Sequence, residues 1–380
     1  MSFVAARPKT VRRRRVPPVR VGAASVNASA LEELRRAWQR RELVLFLGAG
    51  VSVPYGLPSW RNLVLELLFE QARTTRRLGP MLPHYRSAVA SWMADYFEYD
   101  PLVLARMVER NLREAARRAG SRAGVEESFL ERLREHLYAN FVDPPKRTLL
   151  HSIADLIERG TATAGVEAVV SFNFDDLLER ELEKRGVKFA TIAGAKRERS
   201  AGLRVIHPHG YVPKEGPLSR RDVVFTEPDY HLLTEAVFHW GLSEIVQRLR
   251  KSTVLFIGLS MSDPSLRRLL DASRNSDIPP HFQIQKRHGL RDSDTAAAMN
   301  EIERRARAYA AATGRGFDEL KTPPQLEDAI GAALKQADTY DRDVFESMGV
   351  NTIWVDGFDE ISDIVDAVSP RSRARRSRRS

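Results

Sequence analysis

The chain contains no cysteine, and this absence excludes two kinds of site. Disulfides cannot form, and no zinc ion can be held by thiolates. No apolar run is long enough to cross a membrane, and the basic amino-terminal segment lacks the apolar core of a signal peptide. We therefore expect a cytoplasmic protein that makes no use of a membrane.

Acidic residues are missing from both ends of the chain. Residues 1–29 hold seven Lys or Arg, and residues 369–380 hold six, with no Asp or Glu in either segment. Because the whole chain carries a net charge of +10, residues 30–368 carry −3. Segments of this composition cannot bury a core, so we predict disordered basic tails over 1–28 and 369–380. Contact with nucleic acid or an acidic partner is compatible with that prediction.

Between the tails, short apolar segments alternate with helical patterns. An apolar run without polar alternation is typical of a strand buried on both faces of a sheet. The repeated strand–helix order predicts an α/β fold, with a Rossmann-like, mostly parallel sheet and helices on both faces. The predicted strands are 43–47, 168–172, 203–206, 222–225, 253–257, 282–285 and 352–355.

Two blocks interrupt this alternation with helical patterns alone, at about 72–165 and at 290–348. We predict that both are insertions into a single domain over 29–368, and that the first forms a smaller helical domain. A further helix is predicted over 29–40, with Asn27 or Ser29 as its cap.

A glycine-rich turn follows the first predicted strand. Gly48, Ala49 and Gly50 come directly after it, and glycines at this position let backbone N–H groups approach a phosphate. The dehydrogenase fingerprint would need a third glycine where Val53 stands, and a P-loop would need a lysine after the glycines. Ser52 supplies a hydroxyl instead. The alternative is a tight turn that binds nothing.

Asn173 follows the strand at 168–172, where open α/β sheets bind ligands. Its amide can bond a ribose hydroxyl and a water together, although a simple turn role fits the sequence equally well. Asp175 and Asp176 begin the next helix. Helix capping accounts for Asp176 and is an alternative for Asp175.

Two histidines follow the strand at 203–206. The spacing of His207 and His209 suggests metal ligation, but no third ligand completes such a site, so we predict no metal. His209, beside Gly210, suits a general base, whereas His207 suits a structural, hydrogen-bonded role.

A second small-residue segment follows the strand at 253–257. Gly258 and Ser260 fit a second wall of a nucleotide site. Asp263 and Pro264 are explained by helix capping alone.

Five segments, in this order, resemble the sirtuin-like NAD hydrolases found in bacterial antiphage defence systems. They are LFLGAGVSVPYGLPSW, SFNFDDLLE, IHPHGYVP, VVFTEPDYHLL and FIGLSMSDPSLRRLL. The resemblance covers about 40–60, 165–285 and 350–368. It implies a Rossmann-like sheet with a helical small domain, and NAD bound in the cleft between them. The zinc module of sirtuin deacetylases is missing, because the chain has no cysteine.

The resemblance also implies roles for individual residues. The pyrophosphate would lie at Gly48, Ala49, Gly50 and Ser52, and the adenosine ribose at Gly258 and Ser260. The family's acid two residues after the catalytic asparagine corresponds to Asp175, which would also bind NAD. The catalytic residues would be Asn173 and His209.

The expected activity is cleavage of the nicotinamide N-glycosidic bond, which gives ADP-ribose and nicotinamide. NAD is then a substrate, and no other cofactor is expected. Because unrestrained NAD hydrolysis harms the cell, we expect a regulated homo-oligomer, with a defence-system ATPase or translocase as a candidate partner. The alternatives are a sensor of NAD or ADP-ribose without turnover, a deacylase or ADP-ribosyltransferase, and a DNA-associated subunit of a defence complex.

Overall fold

The computed structural model describes most of the chain between the two basic ends. The described residues are 23–73, 89, 92, 96, 100–118, 120, 125–194, 202–219, 223–235, 240–261, 263–274, 277–289, 292–314 and 326–369. Most of both predicted tails therefore lies outside the described residues, and their disorder stays a prediction.

The described residues form a seven-stranded sheet in the order β3-β4-β2-β1-β5-β6-β7. Every neighbouring pair of strands is parallel. The strands are β1 (Leu43–Leu47), β2 (Val166–Ser171), β3 (Phe189–Ile192), β4 (Leu203–Ile206), β5 (Thr253–Ile257), β6 (His281–Lys286) and β7 (Val350–Val355). This confirms the predicted Rossmann-like α/β fold.

Helices cover the sheet and extend beyond it. They are α1 (Ala23–Gln39), α2 (Trp60–Arg73), α3 (Pro101–Arg118), α4 (Val125–Leu137), α5 (Leu149–Glu158), α6 (Leu177–Lys184), α7 (Glu227–Glu235), α8 (Trp240–Lys251), α9 (Pro264–Ser273), α10 (Asp292–Thr313), α11 (Leu326–Ser347) and α12 (Glu360–Val368). Among the described residues, no helix combines the length and the apolar character that a membrane crossing requires.

The central strand β1 supplies both cores, because its side chains alternate between the two faces. Leu43, Leu45 and Leu47 pack in one cluster with residues of α1, α5 and α12. Val44 and Phe46 pack in the other cluster with residues of α8 and α9. All five side chains are buried. Each contributes about 1.5–3 kcal/mol through burial, which explains why LVLFL shows no polar alternation.

Two strand predictions need correction. Residues 223–225 form no strand, although Val223 and Phe225 are buried. These residues are apolar because they lie in a buried loop, in which Val224 N donates to the His209 carbonyl at 2.8 Å. The strand β3 was not predicted, because it lies at the sheet edge, is only four residues long and is half-buried at alternate positions.

The predicted start of the first helix is also wrong. Helix α1 begins at Ala23, so residues 23–28 belong to the helix and not to the tail. Asn27 and Ser29 lie inside the helix and do not cap it. Asn27 Nδ2 donates to the Trp354 carbonyl at 3.0 Å. This bond holds the first turns of α1 against the end of β7.

Within the two predicted insertions, the described regular elements are all helices, and described loops such as 138–148 connect them. Helices α2, α3 and α4 pack on one another, and their buried residues belong, like Ile153 and Leu156 of α5, to the core cluster of β1. Helix α11 packs against β7, which follows it in the chain. The division into domains stays a prediction.

Candidate functional site

Four loops meet at the carboxyl edge of the sheet. The chain passes from β1 to β2 on one side, and later places β5 on the other side of β1. In open α/β sheets, the crevice at such a reversal is where ligands bind. The loops after β1, β2, β4 and β5 carry Gly48–Ser52, Asn173, His209 and Gly258–Ser260.

The two glycine loops pack backbone against backbone. Gly48 N donates to the Ile257 carbonyl and Gly50 N to the Gly258 carbonyl, both at 3.0 Å. A Cβ on Gly50 would lie 2.8 Å from Gly258 Cα, and Gly258 has a φ of +67°. The close contact between the two loops is therefore sufficient to explain why these positions are glycine, without a bound phosphate.

This contact limits what the loop can offer to a phosphate. Val51 N and Ser52 N donate to carbonyls within the same turn, so four of the five N–H groups over 48–52 are engaged. The Ala49 N–H is the one of the five that bonds to no described residue. A phosphate at this loop would receive one backbone hydrogen bond, and not the several that a phosphate cradle supplies.

Asn173, Ser52 and Asp175 form one hydrogen-bonded chain. Asn173 Nδ2 donates to the Gly48 carbonyl at 3.0 Å and to Ser52 Oγ at 3.1 Å. Ser52 Oγ donates to Asp175 Oδ2 at 2.7 Å. The NH₂ group of Asn173 is thus used within the protein, and Oδ1 makes no hydrogen bond to the described part of the chain.

Asp175 lies behind Ser52 and is buried. Its Oδ1 accepts from Leu177 N at 3.2 Å, which stabilises the start of α6. Burial raises the pKa of Asp175 to about 6, against the opposing effects of the Ser52 and Leu177 hydrogen bonds. The structure gives Asp175 a position that orients Ser52 and Asn173, while direct contact with a substrate stays a prediction.

The two histidines point to different partners. His207 is buried, with Nδ1 3.0 Å from the Asn173 carbonyl and Nε2 2.7 Å from Glu179 Oε1. Burial alone lowers the pKa of His207, but the Glu179 charge and hydrogen bond outweigh it, so the pKa is raised. His207 therefore has the structural role that the sequence indicated, and it fixes the Asn173 backbone.

His209 is also buried, with 7% of its surface exposed. The rings of Phe172 and Tyr230 pack edge-on against its imidazole, with centroids 5.1 and 5.5 Å away. Burial lowers the pKa of His209, although the charge of Asp263 opposes this effect. An imidazole with a lowered pKa is unprotonated at neutral pH, as a general base must be.

Asp263 is the functional candidate that the sequence did not reveal. Its Oδ1 accepts from Ser265 N at 2.8 Å and caps α9, as predicted. Its Oδ2 lies 3.6 Å from His209 Nε2. The sequence did place Asp263 at the same edge of the sheet as His209. Asp263 was not identified as functional, because helix capping alone explained an aspartate at that position.

The loop that carries Ser260 is strained. Ser260 is exposed, and the next residue, Met261, is buried with a φ of +56°. A left-handed non-glycine residue costs about 1–3 kcal/mol and is concentrated at functional sites. Residue 262 lies outside the described residues.

None of the residues predicted to bind NAD or to act in catalysis lines either of the two described cavities. One cavity, of about 180 Å³, lies beside α6 and includes Tyr55, His151 and Arg180. The other, of about 410 Å³, includes Arg41 and Lys188, near the amino ends of the strands. Within the part of the chain that is described, no group of three or more metal-ligating side chains comes together.

Comparison with protein families matches residues 167–309 to a SIR2-like domain. The match contains Asn173, His209 and Ser260. The comparison with curated proteins gives no match. Among solved structures, one described as "The Structural basis for Sirtuin Substrate affinity" matches with 16% identity and a TM-score of 0.31, over 70% of this chain and 88% of that chain. That last likeness is too distant to carry an argument about chemistry.

Proposed function

We propose that this protein is an NAD hydrolase, which cleaves the nicotinamide N-glycosidic bond to give ADP-ribose and nicotinamide. The observation that carries the proposal is that Asn173 and His209 follow the neighbouring parallel strands β2 and β4, at the same edge of the sheet and within a segment that matches a SIR2-like domain. A buried histidine with a lowered pKa would supply the base, and the fixed Asn173 amide at the same edge of the sheet would supply the orienting group. We further propose that the reaction is cytoplasmic and serves NAD depletion in antiphage defence.

In the proposed reaction, positive charge develops on the ribose as nicotinamide leaves. Asn173 Oδ1 accepts a hydrogen bond from a ribose hydroxyl or from the attacking water. His209 takes a proton from that water or hydroxyl, while the water oxygen bonds to the anomeric carbon. A positioned base contributes roughly 10²–10⁴-fold in rate, and fixed dipoles and orientation supply the remainder.

A sensor of NAD or ADP-ribose is the second candidate, and one observation favours it. Both donors of the Asn173 amide are committed to Gly48 and Ser52. If NAD binding leaves these bonds intact, Asn173 offers a ligand its oxygen alone. That oxygen can help to bind NAD or ADP-ribose in a protein that does not cleave either ligand. Regulation by assembly, with a second copy or with an ATPase partner, is compatible with either candidate.

The deciding experiment measures nicotinamide release by the full chain and by Asn173→Ala and His209→Ala. We expect each substitution to lower turnover by at least about two orders of magnitude. NAD binding should weaken much less, because its other contacts remain. Asn351→Ala and His231→Ala are matched controls, because both residues are exposed and neither belongs to the four loops.

The controls should retain turnover. Full turnover in His209→Ala would remove this residue from the mechanism. Tight NAD binding by the wild type without turnover, in every assembly state, would favour the sensor.

A further inference from the structure

Asp263 lies where its carboxylate contacts both the start of α9 and the His209 imidazole. Its Oδ1 is fixed by Ser265 N at the start of α9, so the carboxylate cannot rotate freely. The other oxygen, Oδ2, is turned toward His209 and lies 3.6 Å from Nε2. The Asp263 side chain is 20% exposed and that of His209 is 9% exposed, so water screens the pair only in part.

The imidazole of His209 is confined on its other sides. Phe172, after β2, and Tyr230, on α7, pack edge-on against it and restrict its rotation. The ring therefore keeps Nε2 directed toward α9. Asp263 is the carboxylate that lies within ion-pair distance of His209 among the described residues.

The other charged groups near this site have different partners. His207 faces Glu179 at 2.7 Å. Asp229, one residue from Tyr230, accepts hydrogen bonds from Phe225 N and Thr226 N. The Tyr230 hydroxyl has a raised pKa because of its burial and the nearby carboxylates Asp263 and Asp229, so it stays neutral. Asp263 is left as the group whose charge acts directly on the imidazole.

We propose that Asp263 is a positioning residue for His209. This inference rests on the proposed function of His209 as the base. The carboxylate holds the tautomer that carries its proton on Nε2, which leaves Nδ1 to accept a proton from water or a ribose hydroxyl. When Nδ1 has taken the proton, the charge of Asp263 stabilises the imidazolium, as in other acid–histidine pairs.

The test uses Asp263→Asn, because asparagine caps a helix as well as aspartate does. The pKa of His209 is measured by NMR titration, with His209→Ala to assign the signal. Removal of the carboxylate charge should lower the pKa of His209 below its wild-type value, since that charge favours the imidazolium. The matched control is Asp271→Asn, which removes one negative charge from the exposed far end of the same helix. It should leave the His209 titration unchanged.

Turnover gives the second readout. We expect Asp263→Asn to lower kcat by at least about tenfold, short of the roughly 10⁴-fold loss found when a triad aspartate is replaced. The KM for NAD should change less, and the acid limb of the pH–rate profile should move to lower pH with the His209 pKa. Asp263→Ser, which also keeps a capping side chain, should behave in the same way.

The pairing of Asp263 with His209 and the hydrolysis of NAD are contradicted by different results. An unchanged His209 pKa in Asp263→Asn, or an equal shift in Asp271→Asn, would overturn the pairing even if NAD is hydrolysed. A wild-type protein that leaves NAD intact would contradict the proposed function. In that case the titration alone decides whether Asp263 sets the charge state of His209.

Discussion

At the residue scale, Asp175 makes the stability of the fold depend on pH. Burial raises its folded-state pKa to about 6, whereas an unfolded aspartate titrates near 3.9. The neutral carboxyl group therefore favours folding below about pH 4, and this contribution is lost as the pH rises through 6. The unfolding free energy of the wild type, relative to Asp175→Asn, should fall between pH 4 and 6.

Urea denaturation at a series of pH values measures this difference. A second variant, Ser52→Ala, removes a hydrogen bond that lowers the Asp175 pKa, so the loss of stability should extend to higher pH. A difference between wild type and Asp175→Asn that is constant across pH 4–6 would contradict the burial of an ionisable group here.

Gly258 takes part in the close contact between the two glycine loops and also has a left-handed backbone conformation. Gly258→Ala should destabilise the protein, because φ is +67° and the added Cβ would lie 3.0 Å from Gly50 Cα. The left-handed conformation alone costs about 1–2 kcal/mol. Gly186→Ala measures that term by itself, since its φ is +68° and its Cβ meets nothing within 4 Å.

The larger loss of stability on urea denaturation should therefore occur in Gly258→Ala. Gly331→Ala, in the helix α11 and with open space around it, should stabilise by about 0.5–1 kcal/mol. Equal losses in Gly258→Ala and Gly186→Ala would show that the loops do not pack as closely as described.

Residue types and strand ends could be predicted from the sequence, but side-chain partners could not. Asn173 and His209 were identified because each follows an apolar strand. The commitment of the Asn173 amide to Gly48 and Ser52 depends on a contact across more than 120 residues. The approach of Asp263 to His209 is likewise tertiary, and no local pattern records it.

At the scale of elements, a charge cluster joins α5 to α6 and α12. Asp155 accepts from Arg185, Arg147 and Arg159, and Arg147 also pairs with Asp366. Asp155→Asn would leave three guanidinium groups close together without their shared carboxylate. We expect a loss of about 1–3 kcal/mol, less than for a fully buried pair because the arginine heads reach solvent.

Thermal unfolding compares this variant with Glu301→Gln. Glu301 also contacts two arginines, Arg304 and Arg305, but all three side chains are exposed on α10. Its replacement should cause no measurable change. An equal effect of both substitutions would argue against a structural role for the Asp155 cluster.

Helix boundaries and edge strands were the elements that the sequence predicted least well. The central strands are continuous apolar runs because both faces are buried, and their positions were found to within two residues. The edge strand β3 has one face half-exposed and lacks that signal. Helix α1 extends to Ala23 because its early turns dock on β7, which local composition does not show.

At the scale of the whole molecule, most of the excess positive charge lies outside the described fold. Residues 1–22 and 370–380 contain all thirteen basic residues assigned to the two tails. A chain limited to 23–369 should unfold at the wild-type temperature and lose any salt-dependent affinity for nucleic acid. Salt-sensitive DNA binding that persists in the shortened chain would place the basic surface on the folded body.

The matched truncation begins at residue 30. It removes Asn27 and its bond to the Trp354 carbonyl, and it also removes the first turns of α1. It should destabilise the protein by at least about 1 kcal/mol relative to the chain that begins at residue 23. Equal stability of the two chains would show that α1 gains nothing from its first turns.

The proposed roles of Asn173 and His209 both depend on hydrolysis of NAD by this chain, by itself or in an active assembly. The most direct measurement incubates the purified full-length protein with NAD, without any peptide substrate, and quantifies nicotinamide and ADP-ribose together. We expect both products to form in equal amounts, and we expect His209→Ala to form neither at more than about one hundredth of the wild-type rate. NAD that stays intact in every assembly state, or nicotinamide that appears only after an acylated peptide is added, would contradict it.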